Sequence, residues 1–389
     1  MKRFCLLLLV SFLSMCFIAC GEDENQSVNN ENNLPTLTPT STSTPSPSPT
    51  VTPTSTPSPS PTVTPEPTPT EAPEDIIPEG MVKSRLTGLW IPEDTAIYRP
   101  YAVMINNIKV ASPQSGLSAA DILYEVLVEY GITRFMAVFE AQDALADTTE
   151  RIGSVRSARH YYVNLANELD AIYVHFGGTT FAYDKIKETQ ATDIDGITGG
   201  FAGRAFSRDN SIQAPHNVFL NYSMMLNEVF NSSMRSQWDS ERDKFFQFYE
   251  QDTTPASGQK ADKVTIQFSQ SVRPYLVYDS ESGEYTRYQF GVLHSDANND
   301  QALTFKNIII QYAKHSPKSN EYITIDLDNT EGDGYYITNG VAVPIVWKRN
   351  ETPNECHYYD LEGNELSINV GKTYIAIYPD DYRGGVIFE

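Results

Sequence analysis

The densest run of residues able to do chemistry is Arg151-Ile-Gly-Ser154-Val-Arg156-Ser157-Ala-Arg159-His160. Taken as the start of a helix, it offers Ser154 or Ser157 as the N-cap and leaves unpaired backbone N–H groups facing outward. Arg156 and Arg159, three apart, then fall on nearly the same face. Positive side chains in a first turn oppose the helix dipole by about 0.3–1 kcal/mol each, so their placement calls for an anion. That anion is either a ligand phosphate or carboxylate, which makes a binding site, or Glu125 or Glu129, which makes an internal salt-bridge network. The same two glutamates, in Tyr124-Glu125-Val-Leu-Val-Glu129-Tyr-Gly-Ile-Thr-Arg134, are the kind of carboxylate pair that glycoside hydrolysis uses. Four apart on one strand they would share a face, but with Cα atoms about 13 Å apart, beyond the ~5–9.5 Å between carboxyl groups in most glycosidases.

His175-Phe-Gly177-Gly178-Thr179-Thr180 stands where an expected strand passes into an expected helix. Ligands collect at the carboxyl ends of strands in α/β sheets, and a Gly-Gly turn lets backbone amides approach an anion closely. Gly196, Gly199, Gly200 and Gly203 follow, with Arg204 and Arg208, and then Ala214-Pro215-His216-Asn217. The candidate ligand-binding residues are therefore Arg156, Ser157, Arg159, His175, Gly177, Gly178, His216 and Asn217, with Glu125 and Arg134, around one shared cleft. Turn glycines and buried histidines are the plain alternative. In a hydrolase or transferase His216 would be the general base and the arginines would hold the developing charge, yet no recognisable catalytic motif is present. Asp296-x-Asn298-x-Asp300 begins like a calcium loop, but Gln301 stands where the sharp turn needs Gly and Asn307 where the bidentate Glu belongs. It reads as a solvated hairpin loop. With neither His-x-x-x-His nor Cys-x-x-Cys in the chain, no metal and no cofactor are expected.

These residues need a scaffold, and the hydrophobic periodicity supplies one. Strands are expected at 101–106, 122–129, 132–140 and 171–176, and helices at 157–169 and 181–188. The alternation suggests a mixed α/β N-terminal domain over 80–240, with at least part of its sheet parallel. Beyond a boundary region near 231–260, β-branched and aromatic runs place strands at 264–268, 272–278, 285–290, 303–312, 322–327, 335–338, 341–348 and 374–378. Asn339-Gly340 is a strong hairpin signal. The second half, 260–389, is thus a smaller, mainly antiparallel β domain. The fold class is α+β / α/β.

The N-terminus carries an address. Lys2 and Arg3 precede an apolar run from Phe4 to Ile18, too short to span a bilayer comfortably and suited to the core of a secretory signal. Ala19 directly before Cys20 makes residues 1–20 an expected lipoprotein signal peptide, with Cys20 acylated, palmitate included, as the new N-terminus. The expected location is the outer face of the cytoplasmic membrane, lipid-anchored. Residues 21–79 form a Pro/Thr/Ser-rich tether without Lys or Arg, in which STPSPSPTVTPT at 43–54 recurs almost unchanged at 55–66. Such a tract buries too little apolar surface to fold and favours polyproline II segments. At about 3.1 Å per residue its proline-rich part reaches up to roughly 120 Å. The formal net charge of −22 over 389 residues repels nucleic acid at long range, so an anionic ligand must be caught by local arginines. Of four cysteines only Cys356 belongs to the folded part, which removes any intramolecular disulfide from the mature chain.

The motifs also carry a family resemblance. Arg99-Pro-Tyr-Ala-Val-Met-Ile-Asn106-Asn107, Pro113-Gln114-Ser115-Gly116-Leu117, Ala120-Asp121-Ile-Leu-Tyr124-Glu125, Gly131-Ile-Thr-Arg134-Phe, Arg156-Ser157-Ala-Arg159 and Ala214-Pro215-His216-Asn217 look like the signature of the YerB-like bacterial lipoproteins. The resemblance runs from about residue 86 to residue 380 and includes Lys306-Asn-Ile-Ile-Ile-Gln311, Gly340 and Trp347-Lys348. It implies an N-terminal and a C-terminal domain of uncharacterised function, mostly in Gram-positive bacteria, and no catalytic mechanism. His160 departs from the family pattern, which has Pro there. The leading expectation is a membrane-anchored extracytoplasmic lipoprotein that binds an anionic cell-wall component or a cell-wall-synthesis partner. The alternatives are a hydrolase or transferase acting on an envelope glycan or phosphate ester, and a scaffold that recruits an envelope protein through exposed strand edges of the β domain.

Overall fold

Runs of seven consecutive buried residues at Tyr101–Asn107 and Thr133–Phe139 mark strands covered on both faces, where apolar residues need not alternate with polar ones. They lie inside an eleven-stranded sheet. The computed structural model describes residues 78–140, 151–198, 200, 204–242, 244–328, 330–350 and 355–389. Cys20, the expected signal at 1–20, nearly all of the tether at 21–79, and Gly199 and Gly203 lie outside the described residues.

In chain order the strands of this sheet are β1 Tyr101–Asn107, β2 Ile122–Leu127, β3 Thr133–Phe139, β4 Ile172–His175, β5 Asp193–Asp195, β6 Gln259–Lys260, β7 Asn307–Ala313, β8 Glu331–Thr338, β9 Val341–Arg349, β10 Cys356–Tyr359 and β11 Thr373–Pro379. Their spatial order is β6-β9-β8-β7-β11-β2-β3-β1-β4-β5, with β10 also on β9. Pairing is antiparallel through β7, β8, β9 and β10 and parallel at β1–β4 and β4–β5. The long strand β11 lies between β7 and β2 and runs parallel to both. Strands from both halves of the sequence therefore share one hydrogen-bonded sheet. Asn339 and Gly340, with φ of 48° and 76°, close the β8–β9 hairpin in two residues, as a type I′ turn requires.

Helices α1 His160–Glu168 and α2 Thr180–Thr189 cover one face, where Tyr161, Tyr162, Leu165, Ala166 and Ala182 pack with Met104, Tyr124, Val126 and Met136. The other face carries helix α3 Tyr222–Phe230 and a second, six-stranded sheet that includes Lys263–Ile266, Tyr275–Asp279 and Glu284–Gln289. Thr179 caps α2 through a 3.1 Å bond from the Ala182 amide, and Asn221 caps α3 through a 2.9 Å bond from Met224. α1 has no such cap. It begins at His160, its N-cap residue is Arg159 in an extended conformation, and no side chain bonds the first amides.

Candidate functional site

The residues expected to open α1 are instead extended, because they fill a fork in the sheet. β1 and β4 pair only from Tyr101 to Val103. Past that point 154–158 runs between them: Asn106 N donates to Ser154 O, Arg156 N to Met104 O, Phe176 N to Arg156 O and Ala158 N to Gly177 O, at 2.8–3.0 Å. Sheet pairing satisfies the backbone groups that a helical turn would otherwise have used, so the serine capping signal is overridden. The consequence is positional. Arg156 is held at the carboxyl ends of two parallel strands, where open α/β sheets place their ligands.

Arg156 is one of three arginines gathered there. Arg159 grips Glu129 with two charge-assisted hydrogen bonds, from Nε to Oε1 and from Nη2 to Oε2, the latter at 2.7 Å. Its Nη1 donates to Ala158 O at 2.8 Å, and Arg134 Nη1 donates to Ser157 O at 2.6 Å. Arg134 Nη2 lies 3.9 Å from the same Glu129 carboxylate. Arg156 Nη1 reaches only Pro215 O, at 3.1 Å, and its Nε is buried without a partner among the described residues. Burial, and then the charge of Arg159, push the Arg134 guanidinium down to about 10 and lower that of Arg156. Burial pushes the Glu129 carboxyl up, but hydrogen bonds and charge from Arg159, with the charge of Arg134, outweigh it and hold the group below the ordinary range. Glu129 thus pairs with Arg159 and Arg134 in a buried place, and the partly exposed Arg156 adds a third cation within reach of both Arg159 and Glu129. Such a place favours an added anion, because each guanidinium lowers the free energy of any negative group within about 4–6 Å.

His216 borders the cluster. Its Nδ1 takes a 2.9 Å hydrogen bond from the Asn106 amide, which leaves the ring proton on Nε2. Burial first, and then the charge of Arg156, lower its pKa, so the ring is neutral near pH 7. Of the candidate residues, Arg134, Arg156, Ser157 and Arg159 lie together, with His216 beside Arg156. The other candidates are engaged elsewhere. His175 is fully buried, with Nδ1 at 2.9 Å from Gly177 O and Nε2 at 3.2 Å from Asp193. The Gly177 amide donates to Asp195, which also holds Tyr183, Ile197 and Thr198. Gly178 packs against Ala158 and the Tyr183 ring. Asn217 is buried, accepting from Arg208 at 2.9 Å and donating to Asp209 O at 3.2 Å.

Glu125 lies on the opposite side of the sheet from Glu129. β2 ends at Leu127, and a 3-10 turn at Glu129–Gly131, with Tyr130 at φ 62°, redirects the chain. Glu125 accepts from Asn107 at 2.9 Å, Thr133 at 2.7 Å, Arg287 at 2.6 Å and Tyr374 at 2.6 Å. Thr133 and Arg134, adjacent in β3, meet Glu125 and Glu129 respectively, and adjacent strand residues point to opposite faces. The expectation that the two glutamates share a face therefore fails. Asp296 is also not solvated: it is buried, and its carboxylate takes the amides of Gly116, Ser118 and Asn298 at 2.7–2.9 Å. Cys356 is buried and its thiol is pushed up to about 12 by burial, which makes it inert. Among the described residues no group of three or more His, Cys, Asp or Glu is placed to hold a metal ion.

One part of the surroundings was not visible from sequence spacing. The hairpin formed by His315–Pro317 and Ile323–Ile325 reaches α1 and α2 from the other half of the chain. There the Tyr322 ring centroid lies 5.6 Å from the Arg159 guanidinium carbon and 6.1 Å from the Phe181 centroid, while Lys318 Nζ stands 5.3 Å from the Phe181 ring.

Comparison with known sequences agrees with this layout. Residues 86–235 match the N-terminal domain, and residues 264–375 the C-terminal domain, of the family described as protein of unknown function DUF3048. The chain belongs to the DUF3048 family. A relative from Bacillus subtilis (strain 168), YerB, whose name describes it as a lipoprotein, is 31% identical over 313 residues, covering 79% of this chain and 90% of YerB. The crystal structure of Bacillus subtilis YerB aligns with a TM-score of 0.69 at 29% identity, covering 79% of this chain and 99% of that one. The mixed α/β first half and mainly antiparallel second half thus match the fold of the solved YerB structure. No helix among the described residues is long and apolar enough to cross a membrane.

Proposed function

We propose that this chain is a lipid-anchored, extracytoplasmic binding protein whose Arg134/Arg156/Arg159 cluster takes the anionic group of a cell-wall component. The anchor rests on the signal-like segment ending in Cys20 and on the likeness to a relative named as a lipoprotein. The observation that carries the ligand is the charge count, three guanidinium groups to one carboxylate, in a protein whose formal net charge is −22. Long-range repulsion screens out bulk polyanions, and close cationic contacts select a short anionic group presented at the fork. His216, neutral and bonded to Asn106, lines the site without adding charge.

The test is co-sedimentation of the chain with purified wall sacculi, wild type against Arg156→Ala, with the soluble fraction analysed by mass spectrometry. Arg156 is the residue to change, since Arg159 and Arg134 are tied to Glu129 and to backbone carbonyls. Sedimentation that depends on Arg156 supports the reading. Equal sedimentation of the two proteins removes the site from consideration. Release of wall fragments by the wild type would replace a binding module with an enzyme in which His216 serves as base.

A further inference from the structure

The rim of the arginine cluster holds two half-buried aromatic rings and a lysine that the charge argument leaves unused. Tyr322 and Phe181 meet edge to face at 77°, the Arg159 guanidinium carbon is 5.6 Å from the Tyr322 centroid, and Lys318 Nζ is 5.3 Å from Phe181. Beside them His160 Nε2 lies 2.8 Å from Thr324 Oγ1, and burial, followed by the charge of Lys318, drops the His160 pKa to about 4. The imidazole is therefore neutral at physiological pH. Tyr322 and Lys318 come from a hairpin more than 150 residues beyond Arg159 in sequence, so the fold has added an aromatic and polar shelf to a cationic site.

The chemistry of that shelf is specific in kind. Tyr322 and Phe181 are half-buried, each with a cation over one face, and the ring surface left open offers apolar contact at small conformational cost, while the hydroxyl, imidazole and ammonium groups around it suit a ligand with many hydroxyls. A pyranose ring has both properties: C–H bonds on one face and hydroxyls around the edge. Resting on the anion-site reading above, we infer that the ligand is an anionic saccharide, with its phosphate or carboxylate on the arginines and its ring on Tyr322 and Phe181.

The experiment is isothermal titration of the full chain in detergent with orthophosphate, a hexose 1-phosphate, a hexuronate, the neutral hexose and uridine monophosphate. Wild type, Tyr322→Ala, Tyr322→Phe and Arg156→Ala are compared. Tighter binding of the hexose phosphate or the hexuronate than of orthophosphate, by tenfold or more, is expected, and the better of the two identifies the anionic group. Tyr322→Ala should remove that gain and leave orthophosphate binding unchanged, and Tyr322→Phe should retain most of it. Arg156→Ala should weaken every anion. Equal affinity for orthophosphate and both sugars, a Tyr322→Ala loss that is the same for orthophosphate, or a preference for the nucleotide overturns the saccharide and leaves the anion site standing. Absence of binding by every anion overturns the reading beneath it.

Discussion

Around Glu125 one guanidinium, that of Arg287, meets one carboxylate in full burial, whereas Glu129, also buried, pairs with Arg159 and Arg134 and has the partly exposed Arg156 within reach of its charge. Both sites contain short charge-assisted bonds, and in both a buried arginine Nε lacks a partner among the described residues, so neither feature tells them apart. Charge balance does. At the first site Asn107, Thr133, Arg287 and Tyr374 occupy the carboxylate oxygens, and His294, pushed well below its ordinary pKa by burial and by Arg287, adds a neutral ring bonded to Gln114 at 2.7 Å. That network joins strands of both halves of the chain and is closed to ligands. The second site carries surplus positive charge on Arg156, which ion-pairs with no carboxylate among the described residues. A buried ion pair with matched charge is architecture, while an unmatched one at a strand fork is a place where an anion gains free energy.

Glu125→Ala should have the largest effect, since it leaves the Arg287 charge buried and alone. A loss of about 3–5 kcal/mol is expected, read as a lowered urea midpoint. A loss under about 1 kcal/mol would dissolve the contrast between the sites. Glu129→Gln should cost less, about 1.5–3 kcal/mol, the value of hydrogen bonds to a charged group. Because it leaves three cations without a counter-charge, this variant should gain more thermal stability from added phosphate than the wild type does. An identical phosphate response in both proteins would show that the cluster does not sense anions.

Acid titration sharpens the same point. The Glu129 carboxyl is held below its ordinary 4.5, so its stabilising contribution is complete above that value and is lost as pH falls through the lower, folded-state value. The stability difference between wild type and Glu129→Gln should therefore be flat from pH 7 to about pH 5 and shrink below 4.5. A difference that varies between pH 5 and 7 would assign it to another group. Arg156→Ala should have the smallest effect on stability, within about 0.5 kcal/mol. It should nevertheless raise the His216 pKa, followed by NMR of the imidazole protons, because a neighbouring cation is removed. An unchanged His216 pKa would separate the two residues.

Much of the scaffold was legible. Strands expected at 101–106, 132–140, 171–176, 341–348 and 374–378 appear within a residue or two of their observed bounds, because buried strands announce themselves as continuous apolar runs. The start of α1 was misplaced by three residues. Ser154 and Ser157 have the right type for a cap, but the fork between β1 and β4 offered their backbone better partners. The glutamate pair was misread for a related reason: the turn at Glu129–Gly131 breaks the period-two alternation on which the shared face depended.

Among the candidate residues, Arg134, Arg156, Ser157, Arg159 and His216 could be singled out from local motifs, and the fold places them close together. Tyr322 and Lys318 could not, nor could the pairing of Arg287 with Glu125. Composition and local periodicity suffice for net charge, strand positions and the Asn339-Gly340 turn, because those depend on near neighbours along the chain. Which charge meets which is set by topology: β11 inserts between β7 and β2 and brings the second half against the first. Only that long-range pairing decides that Glu125 is neutralised by Arg287 while Glu129 is left outnumbered by arginines.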